Sequence, residues 1–122
     1  MKCILIVDDN AMVRRSMRRL LESDSIWRVG GEAANGFDAI AKAQQLHPDL
    51  IVLDMSMPIM NGFDTARELK KLMPDVPLLM FTALAGADME NEAVKAGVTS
   101  IISKQDPAAL VDSVKRLLQR AA

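Results

Sequence analysis

The sequence predicts a three-layer α/β domain, with helices on both faces of a parallel sheet of five strands. Three observations carry this. Short, unbroken apolar runs recur along the chain, and such runs suit strands buried on both faces. Each run is followed by a segment with the apolar period of a helix. The runs begin at intervals of roughly 20–28 residues, long enough for parallel crossovers, which need about a dozen.

Cys3 to Val7 reads as the first strand and runs out at Asp8-Asp9. Asn10 caps the following helix, where Val13, Met17, Leu20 and Leu21 share an apolar face opposite Arg14, Arg15, Arg18 and Arg19. Ser23-Asp24-Ser25 ends that pattern. Ile26 to Ala33 is a weaker strand with Gly30-Gly31 inside it, which suits an edge position; Trp27 reads as packing there.

Asn35-Gly36 opens the second helix, expected to turn Phe37, Ile40, Ala41 and Ala43 inward and Lys42, Gln44 and Gln45 outward. His47-Pro48 closes it, because a residue before proline disfavours the helical region. Leu50 to Leu53 is the third strand and leads straight into Asp54. Asn61-Gly62 opens the third helix, with Phe63, Ala66, Leu69 and Leu72 on its apolar side and Pro74 ending it.

Val76 to Phe81 is the fourth strand and ends in Thr82-Ala83. The fourth helix spans Gly86 to Ala96 and stops at Gly97. Val98 to Ile102 makes the fifth strand, running out at Ser103-Lys104. Asp106 caps the last helix, Pro107 is its first residue, and Leu110, Val114, Leu117 and Leu118 form its buried face. No linker or low-complexity stretch interrupts this beat, so residues 1–122 read as one domain.

Composition narrows the function classes. A net charge of −1 argues against direct nucleic-acid binding by this domain. The lone Cys3 sits in the first apolar run and reads as a buried, inert thiol in a reducing compartment. No apolar run approaches the roughly 18–20 residues of a membrane span, and no signal-peptide pattern precedes the first strand. A cytoplasmic location without membrane contact is the expectation.

In a parallel sheet all strand C-termini lie on one edge, where ligands of open α/β sheets bind. Asp8, Asp9, Asp54, Thr82 and Lys104 therefore meet in one pocket. Three adjacent carboxylates repel one another, and an oxygen-ligated divalent cation resolves the repulsion. Mg²⁺ suits carboxylates, a backbone carbonyl and retained waters; Mn²⁺ takes the same ligands. Cation, lysine, hydroxyl and loop amides together form a receptor for a phosphoryl group, with Asp54 placed as nucleophile.

These residues carry a resemblance over essentially the whole chain. Val7 to Asn10 (VDDN), Leu53 to Gly62 (LDMSMPIMNG), Phe81 to Ala83 (FTA), Lys95 to Gly97 (KAG) and Ser103-Lys104 resemble the receiver domain of bacterial two-component response regulators. The resemblance implies a flavodoxin-like (βα)5 fold with strand order 2-1-3-4-5. It implies that Asp54 accepts a phosphoryl group from a sensor histidine kinase or phosphotransfer protein. By the same resemblance Asp9, Asp54 and the backbone carbonyl of Ser56 ligate Mg²⁺, and Asp8 acts largely through water. Thr82, Ala83 and Lys104 contact the phosphoryl oxygens, and the face of helix four, strand five and helix five changes to control an output, expected to be transcription. Ser56 and Leu84 occupy positions that tune hydrolysis in this family; the arginine face of helix one reads most simply as a solvated face, and the resemblance offers it as the kinase-docking surface. Homodimerisation on phosphorylation, through helix one, four or five, is compatible with all of this.

Two positions depart from the family pattern. Ile101 stands where an aromatic switch residue is usual, and Gln105 where proline follows the lysine. The first bears on output and the second on how firmly the loop before helix five is held. The Lys104 to Pro107 wording resembles receivers joined to helix-turn-helix output domains. A degenerate receiver, acting as an interaction module without phosphorylation, is the competing reading. A haloacid dehalogenase-type phosphatase would need D-x-D after the first strand, and a nucleotide or flavin carrier a Gly/Ser/Thr-rich loop there; this chain has Asp8-Asp9-Asn10. His47 reads as a loop residue, and Met55, Met57 and Met60 as residues more exposed than a core needs, serving loop packing or partner contacts.

Overall fold

Each apolar run finds apolar layers on both sides in the computed structural model, which describes residues 1–23, 26–83 and 86–120. In chain order the elements are β1 (Lys2–Val7), α1 (Ala11–Glu22), β2 (Trp27–Ala33), α2 (Gly36–Leu46) and β3 (Leu50–Leu53). They continue with α3 (Gly62–Leu72), β4 (Leu78–Thr82), α4 (Ala87–Ala96), β5 (Ser100–Ser103) and α5 (Pro107–Arg120). The strands form one parallel sheet in the order β2-β1-β3-β4-β5. This is the flavodoxin-like (βα)5 arrangement, with the weak Gly-containing strand at an edge.

Side-chain alternation explains why the runs are apolar throughout. Leu5, Val7, Ile51, Leu53, Leu78 and Met80 pack with residues of α2, α3 and α4. Their alternates Ile4, Ile6, Leu50, Val52, Leu79, Phe81 and Ile102 pack against α1 and α5. Asp8, Asp54 and Lys104 continue the second parity one step past Ile6, Val52 and Ile102. The core thus hands three charged groups to one corner of the sheet.

The caps fall where sequence placed them. Asn10 accepts from the amides of Met12 and Val13, Asn35 from Asp38 and Asn61 from Asp64, satisfying helix N-terminal donors. Trp27 is buried, and its indole N–H donates to the Leu21 carbonyl, tying β2 to the end of α1. Cys3 is buried, as expected.

Several boundaries and faces differ from the sequence reading. In α2 the buried positions are Gly36, Ala39 and Ala43, while Ala41 is exposed and Phe37 is 57% exposed. Close packing selects the small side chains: a Cβ on Gly36 would lie 2.3 Å from Thr65 Oγ1 of α3. Leu72, at the fraying end of α3, is 46% exposed. β4 begins at Leu78, after Pro77, whose carbonyl still accepts from Ile51. β5 begins at Ser100, because Gly97 and Val98 are used to stop α4. Gly97 holds φ 88°, and Val98 N–H donates to Ala93 O, the 6→1 bond of a Schellman motif. Met57 belongs to the core, with Met55 packed against it, so only part of the methionine group faces solvent. Asp24, Ser25 and Leu84 lie outside the described residues.

Candidate functional site

The register of β1 with β3 aligns Val7 with Leu53, so Asp8 and Asp54 emerge side by side, and Asp54 N–H donates to Val7 O at 2.9 Å. Both acids are buried, at 1% and 6% exposure. Lys104 reaches across from the end of β5. Its Nζ lies 2.8 Å from Asp8 Oδ2 and 3.3 Å from Asp54 Oδ2. Asp9 is exposed at the rim, and one carboxylate oxygen from each of Asp8, Asp9 and Asp54 falls within 4.8 Å of the others. Ser56 lies beside Asp9 along the shallow cleft that also includes Met55 and Asn61.

Such an oxygen cluster fits a hard divalent cation. Octahedral Mg²⁺, with bonds of about 2.1 Å, holds ligand oxygens ~3–4.2 Å apart, so small side-chain rotations suffice. Thr82 is buried at the end of β4, and its carbonyl accepts from Lys104 N–H at 2.9 Å, while Ala83 is exposed just beyond. Every pocket residue read from the sequence is therefore at this edge.

Two supports were not legible as such. Gly62 N–H donates to Met55 O at 2.8 Å, and a Cβ at Gly62 would lie 2.2 Å from Asp54 O and 2.6 Å from Met55 Cα. Asn61-Gly62 signals a helix start in sequence; the close approach to Asp54 appears only in the fold. The loop before α5 is hydrogen-bonded with glutamine rather than proline at position 105. Gln105 N–H donates to Ser103 Oγ at 3.1 Å and Asp106 N–H to Ser103 O at 2.9 Å, so Ser103 fixes that turn.

The family model of the response regulator receiver domain matches residues 4–115. The chain belongs to this family. Among relatives, this receiver is 34% identical over 117 residues to the chemotaxis protein CheY of Thermotoga maritima, covering 95% of this chain and 97% of that one. It is 40% identical over 119 residues to the protein-glutamate methylesterase/protein-glutamine glutaminase of Alkalilimnicola ehrlichii, covering 94% of this chain but 30% of that protein. The receiver spans about a third of the length of such methylesterase relatives. Among solved structures, a LuxR-family two-component response regulator from Aurantimonas sp. SI85-9A1 superposes with TM-score 0.92 at 30% identity, covering 96% of this chain and 84% of that one.

Electrostatics in the receiver's pocket follow from burial. Burial raises the Asp54 carboxyl above the ordinary aspartate range, and the charge of Asp8 adds to this; the opposing pull of Lys104 and of the Ser56 backbone bond does not offset them. Burial alone would lower the Lys104 ammonium, but Asp8 and then Asp54 hold it above the usual lysine range. The lysine sits closer to Asp8, which leaves Asp54 the less compensated acid.

The arginine face of α1 is only partly a free surface. Arg14 Nη1 donates to Asp8 O at 2.7 Å, and its Nε bonds Glu32 at 3.1 Å. Arg18 bonds the other Glu32 oxygen at 2.8 Å. Burial works to raise the Glu32 carboxyl, but the two guanidiniums win and hold it below its usual value of 4.5. Glu32 thus favours the folded state when ionised, fully above pH 4.5 and less as pH falls through its lowered folded value. Glu32→Gln should lower stability by about 1 kcal/mol at pH 7. The difference from wild type should shrink in urea melts as pH falls below 4.5 through the lowered folded value; a gap that does not shrink in acid would refute the ionic clamp.

Proposed function

We propose that this receiver is a phosphoacceptor switch in which Asp54 takes a phosphoryl group from a sensor histidine kinase or phosphotransfer protein. The observation that carries the reading is the pairing of one lysine with two buried acids, Lys104 at 2.8 Å from Asp8 and 3.3 Å from Asp54, beside the exposed Asp9. An Asp54 carboxylate oxygen attacks phosphorus as the donor's P–N bond breaks. The electron pair leaves with the donor imidazole, and an acyl phosphate forms on Asp54.

Asp9, Asp54 and the Ser56 carbonyl would hold Mg²⁺, or Mn²⁺, with Asp8 acting through water; the bound ion would neutralise charge developing on the phosphoryl oxygens. Lys104 pairs with one phosphoryl oxygen, the Thr82 hydroxyl with another, and the Ala83 amide completes the cradle. The chain acts on its own aspartate and is otherwise no enzyme; methylesterase is the activity named for whole proteins of which it resembles about a third. Phosphorylation then biases the α4–β5–α5 face between two states, read out as transcription or another output in the cytoplasm, with homodimerisation as one route. No described helix is long and apolar enough to cross a membrane.

Ile101 favours a second reading, the phosphorylation-independent interaction module. It is partly buried against the core on the output face and has no ring to flip. Acetyl phosphate with Mg²⁺ separates the two. The switch reading expects one added phosphoryl group by intact mass, absent with EDTA and absent in Asp54→Ala. No adduct, in protein that binds Mg²⁺, would move the choice to the interaction module.

A further inference from the structure

Away from the acidic pocket, the groove between α2 and α3 has features that the fold does not use. Phe37 is 57% and Ile59 85% exposed. Ile59 also holds a left-handed backbone, φ 72°, which a β-branched residue adopts only against steric repulsion. Glycine or asparagine would serve this turn without strain. A large apolar side chain that is both strained and solvated gains nothing within its own chain. The two residues border a groove of about 520 Å³ with Ile40 and Met60 in it.

The wall of that groove identifies the occupant. Asp64, Arg67, Glu68 and Lys71 fall at i, i+3, i+4 and i+7, one stripe along α3, with signs alternating minus, plus, minus, plus. This order is self-complementary when two copies of α3 run antiparallel. A two-fold axis between positions 67 and 68 sets Asp64 against Lys71 of the partner subunit and Arg67 against Glu68 of the partner subunit. Within one chain the charges pair along the helix, Arg67 with Asp64 at 2.7 Å and Lys71 with Glu68 at 3.3 Å, and Arg67 also nears Glu92 at 3.7 Å. All are exposed pairs, which hold little energy and can re-pair across an interface.

We propose that the α2–α3 face binds a second copy of this chain in a two-fold association that needs no phosphorylation. The α3 stripe lies on the two-fold axis, and Phe37 and Ile59 of each copy add apolar contact beside it. The charge pattern fits an identical copy, because the stripe meeting its own reverse gives every sign its opposite without any further sequence requirement.

Sedimentation velocity on the whole chain, without Mg²⁺ or phosphodonor and up to ~1 mM protein, tests this. Wild type is expected to dimerise with concentration. Ile59→Asn should be monomeric while its thermal midpoint holds or rises, since it relieves strain, which separates lost association from lost folding. Arg67→Glu and Glu68→Arg should each raise the dimer Kd at least about tenfold, by placing like charges together. Mixing the two variants in equal amounts should restore dimers, because position 67 of one chain then again opposes the sign at position 68 of the other. A chain monomeric to ~1 mM, a dimer appearing only on phosphorylation, or a dimer indifferent to these substitutions would overturn the proposal.

Discussion

Lys104→Met should destabilise the Mg²⁺-free protein by about 3 kcal/mol, because it leaves two buried carboxylates facing each other without a cation. The Asp8 and Asp54 side chains are 2% and 8% exposed, so water solvates them poorly in place of the ammonium. The loss should depend on pH with a definite sign. Asp54 already titrates above its ordinary value of 3.8, and removing Lys104 pushes it further up. A folded carboxyl with a raised pKa favours the protonated form, so its ionisation withdraws stability as pH rises above 3.8 through the folded value. Urea melts should therefore show a deficit that grows as pH rises above 3.8. Saturating Mg²⁺ should recover much of it by binding the native acids, even though phosphoryl uptake stays ~10²–10³-fold slow for want of the lysine. A variant as stable as wild type at pH 7 without Mg²⁺ would contradict the charge balance derived for the pocket.

Gly62→Ala is the second large effect, and it acts through backbone rather than charge. The new Cβ would meet Asp54 O at 2.2 Å and Met55 Cα at 2.6 Å, main-chain atoms that no rotamer change can move aside. The bond from Gly62 N–H to Met55 O would have to lengthen from 2.8 Å. Together these should cost about 3 kcal/mol. The strain falls on the peptide that carries Asp54, so Mg²⁺ affinity should drop along with stability. Gly86→Ala is the control: a Cβ there meets nothing within 4 Å, so only the loss of a glycine N-cap on α4 remains, about 1 kcal/mol or less. Equal effects of the two substitutions, measured by chemical denaturation and by Mg²⁺ titration, would show that close approach to Asp54 is not what position 62 requires.

Both effects rest on features with unequal visibility in sequence. The pocket acids and Lys104 were legible because each terminates an apolar run, and parallel order carries strand ends to one edge whatever the packing details. Strand interiors were legible for the same reason. Helix faces were less so. In α2 hydrophobicity points Phe37 and Ala41 inward along with Ala43; Ala43 is buried, but the other buried positions are Gly36, pressed against Thr65 of α3, and Ala39. Strand starts slipped where a residue had a competing local duty, as Val98 does in closing α4. The clamp of Arg14 and Arg18 on Glu32 was invisible, because a basic helix face looks the same whether water or a neighbouring strand receives it. The Gly62 approach to Asp54 was hidden for a related reason: Asn-Gly is explained locally as a cap, which leaves no signal of a second, long-range requirement.

The central claim concerns one atom group, the Asp54 carboxylate, and a chemical trap addresses it directly. Borohydride reduces an aspartyl phosphate to homoserine while leaving free carboxylates intact, so peptide mapping after acetyl phosphate, Mg²⁺ and borohydride names the acceptor. Homoserine is expected at position 54 alone, dependent on Mg²⁺ and suppressed in Lys104→Met. Homoserine at position 8 or 9, or phosphate retained on His47, would contradict the claim.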